Sequence, residues 1–198
     1  MALLMGLAKV LPHPDLVIVG PNPGNNVGAI NTASGTFNAA GAALLAGVPA
    51  LAVSTDLKEQ DSQRVAQLVT RLVDRLASQR GADGRLLPPG VGLNVNLPPL
   101  AKLIGVRITR VGSYVPFSVQ YTDDLAALFP AQAGKPGISF AHAPAPSAEQ
   151  RDDEAVRVAE GYLTISPFTA LPGAPASADK SLAELTALPL AAHPEHTP

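Results

Sequence analysis

The stretch Asp15-Leu-Val-Ile-Val-Gly-Pro-Asn-Pro-Gly-Asn-Asn-Val-Gly28 decides the fold class. Asp15 to Val19 is a short, mainly apolar run between Pro14 and Gly20, and its length and branched residues suit a parallel strand buried on both faces. Glycine and asparagine then alternate at Gly20, Asn22, Gly24, Asn26 and Gly28, immediately after the carboxyl end of that strand. Open α/β sheets place their ligands at that end.

The flanking sequence extends the same pattern. Ser34 to Ala46 is small and apolar and stops at Gly47, which reads as a tightly packed helix with a glycine stop. Pro49 to Ser54 is a second buried strand. Val65, Leu68, Val69, Leu72, Val73 and Leu76 then recur at helical spacing, predicting an amphipathic helix that closes near Gly81. Strand, helix, strand, helix in this order implies a right-handed, mostly parallel, doubly wound α/β sheet over residues 1–90. Upstream, Ala2 to Val10 reads as the tail of an amphipathic helix. It lacks the basic segment and small-x-small cleavage site of a signal peptide, and no capping residue precedes Ala2.

Residues 91–170 have a different character. Gly92–Leu97, Gly105–Arg110 and Gly161–Ser166 alternate with period two, predicting half-buried strands of the hairpin kind. Ala131 to Asp153 is rich in Pro, Ala and Gly and reads as a long loop or extended arm. Residues 171–198 form a tail with a short helix at Ser181–Leu188 and a disordered end from His193 to Pro198. The whole chain reads as one domain.

Composition narrows the function classes. The 198 residues are 46% hydrophobic, enough for one core. Aromatics are 4% with no Trp, too few for a stacking platform on single-stranded nucleic acid. A net charge of −2 offers no footprint for a nucleic acid polymer or an anionic membrane. The absence of cysteine excludes disulfides, thiolate metal sites and cysteine nucleophiles, and fits the expected cytoplasmic setting. No apolar run approaches the roughly 20 residues of a membrane helix.

The chemistry resides in the Gly/Asn loop. Glycines let the backbone approach a ligand, and each asparagine offers a carbonyl acceptor and an NH₂ donor without charge. The carbonyl suits a hard cation and the NH₂ a phosphate oxygen. Ser34-Gly35-Thr36 opens the small-residue helix, where hydroxyls and free N–H groups make an anion site. Asn and Gly are also ordinary turn residues and a serine is an ordinary cap, so composition leaves both readings open. The loop matches neither the dinucleotide glycine pattern nor a P-loop.

The stretch PDLVIVGPNPGNNVGAINTASGTFNAAGAALLAGVPALAVS resembles the SurE family of survival-protein phosphatases, whose G-I-N-x-G-x-N-x-G loop precedes an S-G-T helix start and G-x-P-A-x-A-x-S. LLPPGVGLNVNLPPL, GVRITRVG and AVRVAEGYLTISPF echo further family blocks in the family order, so the resemblance spans residues 10–170 with gaps. It implies a doubly wound sheet with an extended β-hairpin and a C-terminal arm exchanged in a homodimer or tetramer. It also implies a phosphomonoesterase, dependent on Mg²⁺ or Mn²⁺, acting on nucleoside 5′- or 3′-monophosphates. By the resemblance, Asn22 takes the place of the metal-ligating asparagine and Asn26 that of the second active-site asparagine. Ser34, Gly35 and Thr36 take the place of the phosphate cradle. Pro21 and Phe168 depart mildly from the family pattern.

Family members open with a strand and an Asn-Asp-Asp-Gly motif whose aspartates ligate the metal, and a metal-ligating serine follows. No Asn-Asp-Asp-Gly occurs in these 198 residues. The resemblance places Met1 inside a family helix, with about 70 family residues upstream of it. The residues that perform the catalytic step are therefore unknown from the sequence. The alternative reading is a non-catalytic phosphate-binding or oligomerisation remnant.

Among lesser candidates, Asp123-Asp124 and Asp152-Asp153 read as solvated surface pairs and His142 as a loop histidine. His13 sits at the mouth of the strand, and His193 and His196 lie in the tail. Arg107 and Arg110 read as surface charge, and Gln120-Tyr121 as a packing pair.

Overall fold

The computed structural model describes residues 2–170. Its elements are α1 (Ala2–Lys9), β1 (Val17–Pro23), α2 (Gly35–Leu45), β2 (Ala50–Thr55), α3 (Ser62–Ser78), β3 (Val91–Leu97), β4 (Gly105–Ile108), β5 (Phe117–Thr122), β6 (Gly137–His142), α4 (Glu154–Ala159) and β7 (Tyr162–Thr169). Five strands form one sheet in the order β1-β2-β3-β7-β4. β1, β2 and β3 run parallel, β7 runs antiparallel to β3, and β4 is parallel to β7.

Strand β2 shows why the centre of the sheet is covered on both faces, whereas β1, expected to be buried on both, is an edge strand with Ile18 43% exposed. Ala50 and Ala52 pack with Ala40, Ala43 and Leu44 of α2 and with Phe168, whereas Leu51 and Val53 pack with Val65 of α3 and with Leu93, Val95 and Leu97. Alternate side chains of a strand point to opposite faces, so small residues let α2 approach closely while large ones fill the space under α3. Each buried Leu or Val contributes about 2 kcal/mol of burial. The α2 cap is Ser34, whose Oγ accepts the Phe37 N–H at 3.1 Å. The α3 cap is Asp61, which accepts from Arg64 N at 2.9 Å.

The period-two reading of Gly92–Leu97 as a half-buried hairpin strand is overturned. β3 lies in the middle of the sheet, parallel to β2, with Asn94 and Asn96 fully buried. The polar alternation marks amides enclosed against a loop, not a face in water. Residues 131–153 are not one loop, because β6 pairs antiparallel with β5 as a separate two-stranded sheet. The expected helix at 181–188 and the tail at 193–198 lie outside the described residues. No helix among the described residues is long and apolar enough to cross a membrane.

Candidate functional site

The strand β1 carries the chain to Asn22 and Pro23, and the Gly24–Val27 loop turns over the carboxyl ends of β2 and β3. Gly20 has φ 118° and lies against the Val53 carbonyl, where a Cβ would collide, so only glycine fits there.

Two buried amides from β3 hold the loop. Asn96 Oδ1 accepts the Asn26 N–H at 2.9 Å, and Asn96 Nδ2 and Asn94 Nδ2 each donate to the Asn26 carbonyl at 2.9 Å. Asn25 Nδ2 donates to the Leu97 carbonyl at 3.0 Å. Beyond the loop, Glu154 is wholly buried at the start of α4. Its Oε1 accepts from Gly28 N at 3.1 Å and Asn31 Nδ2 at 2.9 Å, and its Oε2 from Asn94 Nδ2 at 2.9 Å. Burial pushes the Glu154 carboxyl up to about 7, while hydrogen bonds from Ser166, Gly28, Asn94 and Asn31 pull the other way.

The loop forms one wall of a cavity of about 620 Å³ that also meets Asp56, Lys102, Phe117 and Glu160. Asn22 and Asn26 both line it. Asn22 Nδ2 donates to the Gly24 carbonyl at 3.0 Å, and its Oδ1 accepts no hydrogen bond among the described residues. Asn26 Nδ2 is committed to Ser54 Oγ at 2.7 Å. Ser34, Gly35 and Thr36 do not line this cavity. Ser34 is buried as the cap of α2, while the N–H groups of Gly35 and Thr36 have no partner among the described residues. The structure thus brings Asn22 and Asn26 together and leaves the helix start as a separate array of donors.

Sequence reasoning missed the residues that support the loop. Asn94, Asn96 and Glu154 were not singled out, and Asp153 and Arg110 were read as surface charge. Asp153 is in fact buried, pairs with Arg110 Nε at 2.7 Å, and accepts from the N–H groups of Ser113 and Tyr114 at 3.1 Å each. Arg110 also donates to the Glu149 carbonyl. Asp152 is exposed and pairs with Arg157 at 2.7 Å. Arg107 lies 4.7 Å from the centre of the Tyr162 ring. Tyr121 is not buried, being 72% exposed opposite Ile138 on the β5–β6 hairpin. Asp123, Asp124, His13 and His142 are exposed. His193 and His196 fall outside the described residues.

The implied divalent cation does not fit these residues alone. Asn22 Oδ1 is a neutral donor, and Mg²⁺ or Mn²⁺ takes about six oxygens, mainly anionic. Among the described residues no group of three or more His, Asp and Glu side chains comes together that would hold an ion. Asp56, on the same cavity wall, uses Oδ1 to accept the Lys58 N–H at 2.9 Å.

The family model for survival protein SurE matches residues 1–116. The 5′-nucleotidase SurE of Pelotomaculum thermopropionicum is 34% identical over 167 residues, 82% of this chain and 59% of that protein. The chain belongs to the SurE family. The 5′-nucleotidase SurE of Syntrophobacter fumaroxidans is 43% identical over 104 residues, covering 51% of this chain and 39% of its own length. The chain therefore spans less than two thirds of these curated SurE relatives. The crystal structure of the SurE protein from Aquifex aeolicus superposes with a TM-score of 0.68 at 23% identity, covering 93% of this chain and 71% of that one. That likeness shows the SurE fold.

Proposed function

We propose that this chain carries the phosphate-holding part of a SurE-type phosphomonoesterase for nucleoside 5′- or 3′-monophosphates, an activity that depends on Mg²⁺ or Mn²⁺ in the intact site. The observation that carries the reading is the Gly/Asn loop, fixed from beneath by Asn94 and Asn96 on a cavity wall, where Asn22 Oδ1 is left as an acceptor for a cation and the phosphate donors come from the start of α2. A loop whose backbone is already fixed holds a ligand without a further ordering cost. The unpaired N–H groups of Gly35 and Thr36, with the hydroxyls of Ser34 and Thr36, supply donors at a helix start for phosphoryl oxygens. Membership of a family whose relatives are named 5′-nucleotidase supports the nucleotide as substrate class. The anionic ligands that a cation needs are not among the described residues, so the role assigned to them is binding and orientation.

The test is AMP binding by calorimetry, with phosphate release measured beside it in Mn²⁺ and then in excess chelator. Binding that inorganic phosphate displaces supports the reading. Chelator-sensitive release shows the full reaction in this chain. A folded chain that binds neither AMP nor phosphate overturns the proposal.

A second reading, an oligomerisation partner, is favoured by the β5–β6 hairpin. Val119 pairs with Phe140 and Tyr121 with Ile138 on one face, and all four are more than half exposed. A lone two-stranded hairpin is marginal in water, so a covered face in a homodimer or tetramer suits it. Light scattering on wild type and on Phe140→Ser decides it: loss of a dimer or tetramer in the variant supports the reading, and a monomeric wild type excludes it.

A further inference from the structure

Glu154 links elements far apart in the sequence through one carboxylate. Oε1 takes Gly28 N–H and Asn31 Nδ2, which both belong to the 3₁₀ turn that follows the loop. Oε2 takes Asn94 Nδ2, and the same Nδ2 also donates to the Asn26 carbonyl. The carboxylate therefore grips the loop directly at Gly28 and, through Asn94, at Asn26.

The donor count matters. An ionised carboxyl only accepts, which suits three N–H donors, whereas a protonated one would set an O–H against a donor. Two buried acceptors on these same amides, Asn31 Oδ1 and Asn94 Oδ1, have no partner among the described residues. A proton on Glu154 offers them one, and turning the Asn94 amide to take it withdraws Nδ2 from the Asn26 carbonyl.

We propose that Glu154 is a positioning residue for the phosphate loop, holding the Asn22–Asn26 segment through Gly28 and Asn94, with a single proton on its carboxyl loosening that hold. The part of this that concerns ligand rests on the phosphate-holding reading above. Its contacts are neutral: Gly28, Asn31, Asn94 and Ser166. Of the charges nearest in the chain, Asp153 pairs with Arg110, Asp152 and Glu160 pair with Arg157, and Arg151 is exposed. Burial of the group places the change near neutral pH, at about 7.

The experiment is a ¹H–¹⁵N NMR titration of the 198-residue chain from acid to alkaline pH, on wild type, Glu154→Gln and Glu154→Asp, with AMP affinity measured in parallel. The Asn26 and Gly28 amides of wild type should move together with one midpoint near neutral pH and stay flat in Glu154→Gln. The ratio of wild-type to Glu154→Gln affinity for AMP should fall about fivefold as pH drops through that midpoint, the scale of a modest coupling. Glu154→Asp should retain a titration of the same two amides. A merely structural Glu154 would shift melting temperature without a shared midpoint at Asn26 and Gly28. Amides that stay still in wild type, or that titrate identically in Glu154→Gln, overturn the inference. Titrating amides in a chain that binds no AMP sustain the positioning role and overturn the phosphate reading instead.

Discussion

The side chain of Asn96 pairs with both polar groups of the Asn26 backbone, Oδ1 accepting its N–H and Nδ2 donating to its carbonyl, each at 2.9 Å. One side-chain amide thus does for the loop what a neighbouring strand does for a strand. Asn96 is fully buried, so its own amide relies on these protein partners in place of water.

Asn96→Ala leaves the Asn26 N–H without its partner and its carbonyl with Asn94 alone. A destabilisation of about 3 kcal/mol is expected from stranding these groups. Urea unfolding measures it, and a loss below about 1 kcal/mol would show that the loop finds other partners.

Stability should depend on pH through Glu154. Its folded carboxyl titrates at about 7 against an ordinary value of 4.5. A raised value means the folded state holds the proton more tightly, so this contribution is fully present below 4.5 and lost as pH rises through 7. The difference corresponds to about 3 kcal/mol. Glu59, Asp124 and Asp152 are held below their ordinary values and act with the opposite sign at lower pH, outside this window. Unfolding free energies measured between pH 4.5 and 7.5 should fall in wild type and run nearly level in Glu154→Gln.

Asp153 and Arg110 are unequal partners. Asp153 is buried and also ties down the Ser113 and Tyr114 N–H groups, whereas the Arg110 side chain is 58% exposed. Asp153→Ala should cost about 3 kcal/mol and Arg110→Ala about 1 kcal/mol or less. Thermal melts of the two variants check the order, and equal losses would assign the energy to the ion pair instead of the backbone caps.

The sheet was legible where one rule governed the residues. β2 reads correctly because its apolar run, its length and the helix after it agree, and Ala50-Leu51-Ala52-Val53 fills two cores in strict alternation. The position of the Gly/Asn loop was legible for the same reason, since a glycine-rich run after an apolar strand falls at the carboxyl end of the sheet. Asn94 and Asn96 misled because alternating polar residues ordinarily face water. Their partner is the Asn26 backbone, some 70 residues away in sequence, and no local pattern reveals it. Asp153 misled likewise: its partners lie on the segment from Arg110 to Tyr114.

The central claim, that the Gly/Asn loop and the start of α2 hold the phosphate of a nucleotide, is tested most directly by AMP binding to wild type and Gly35→Pro in competition with inorganic phosphate. Gly35 is the first residue of α2 with open space around it, so proline there removes one N–H donor and should leave the melting temperature little changed. The account predicts that phosphate displaces AMP, that adenosine binds far more weakly than AMP, and that Gly35→Pro weakens AMP about tenfold. Adenosine binding as tightly as AMP, or a Gly35→Pro chain with wild-type affinity, would contradict it.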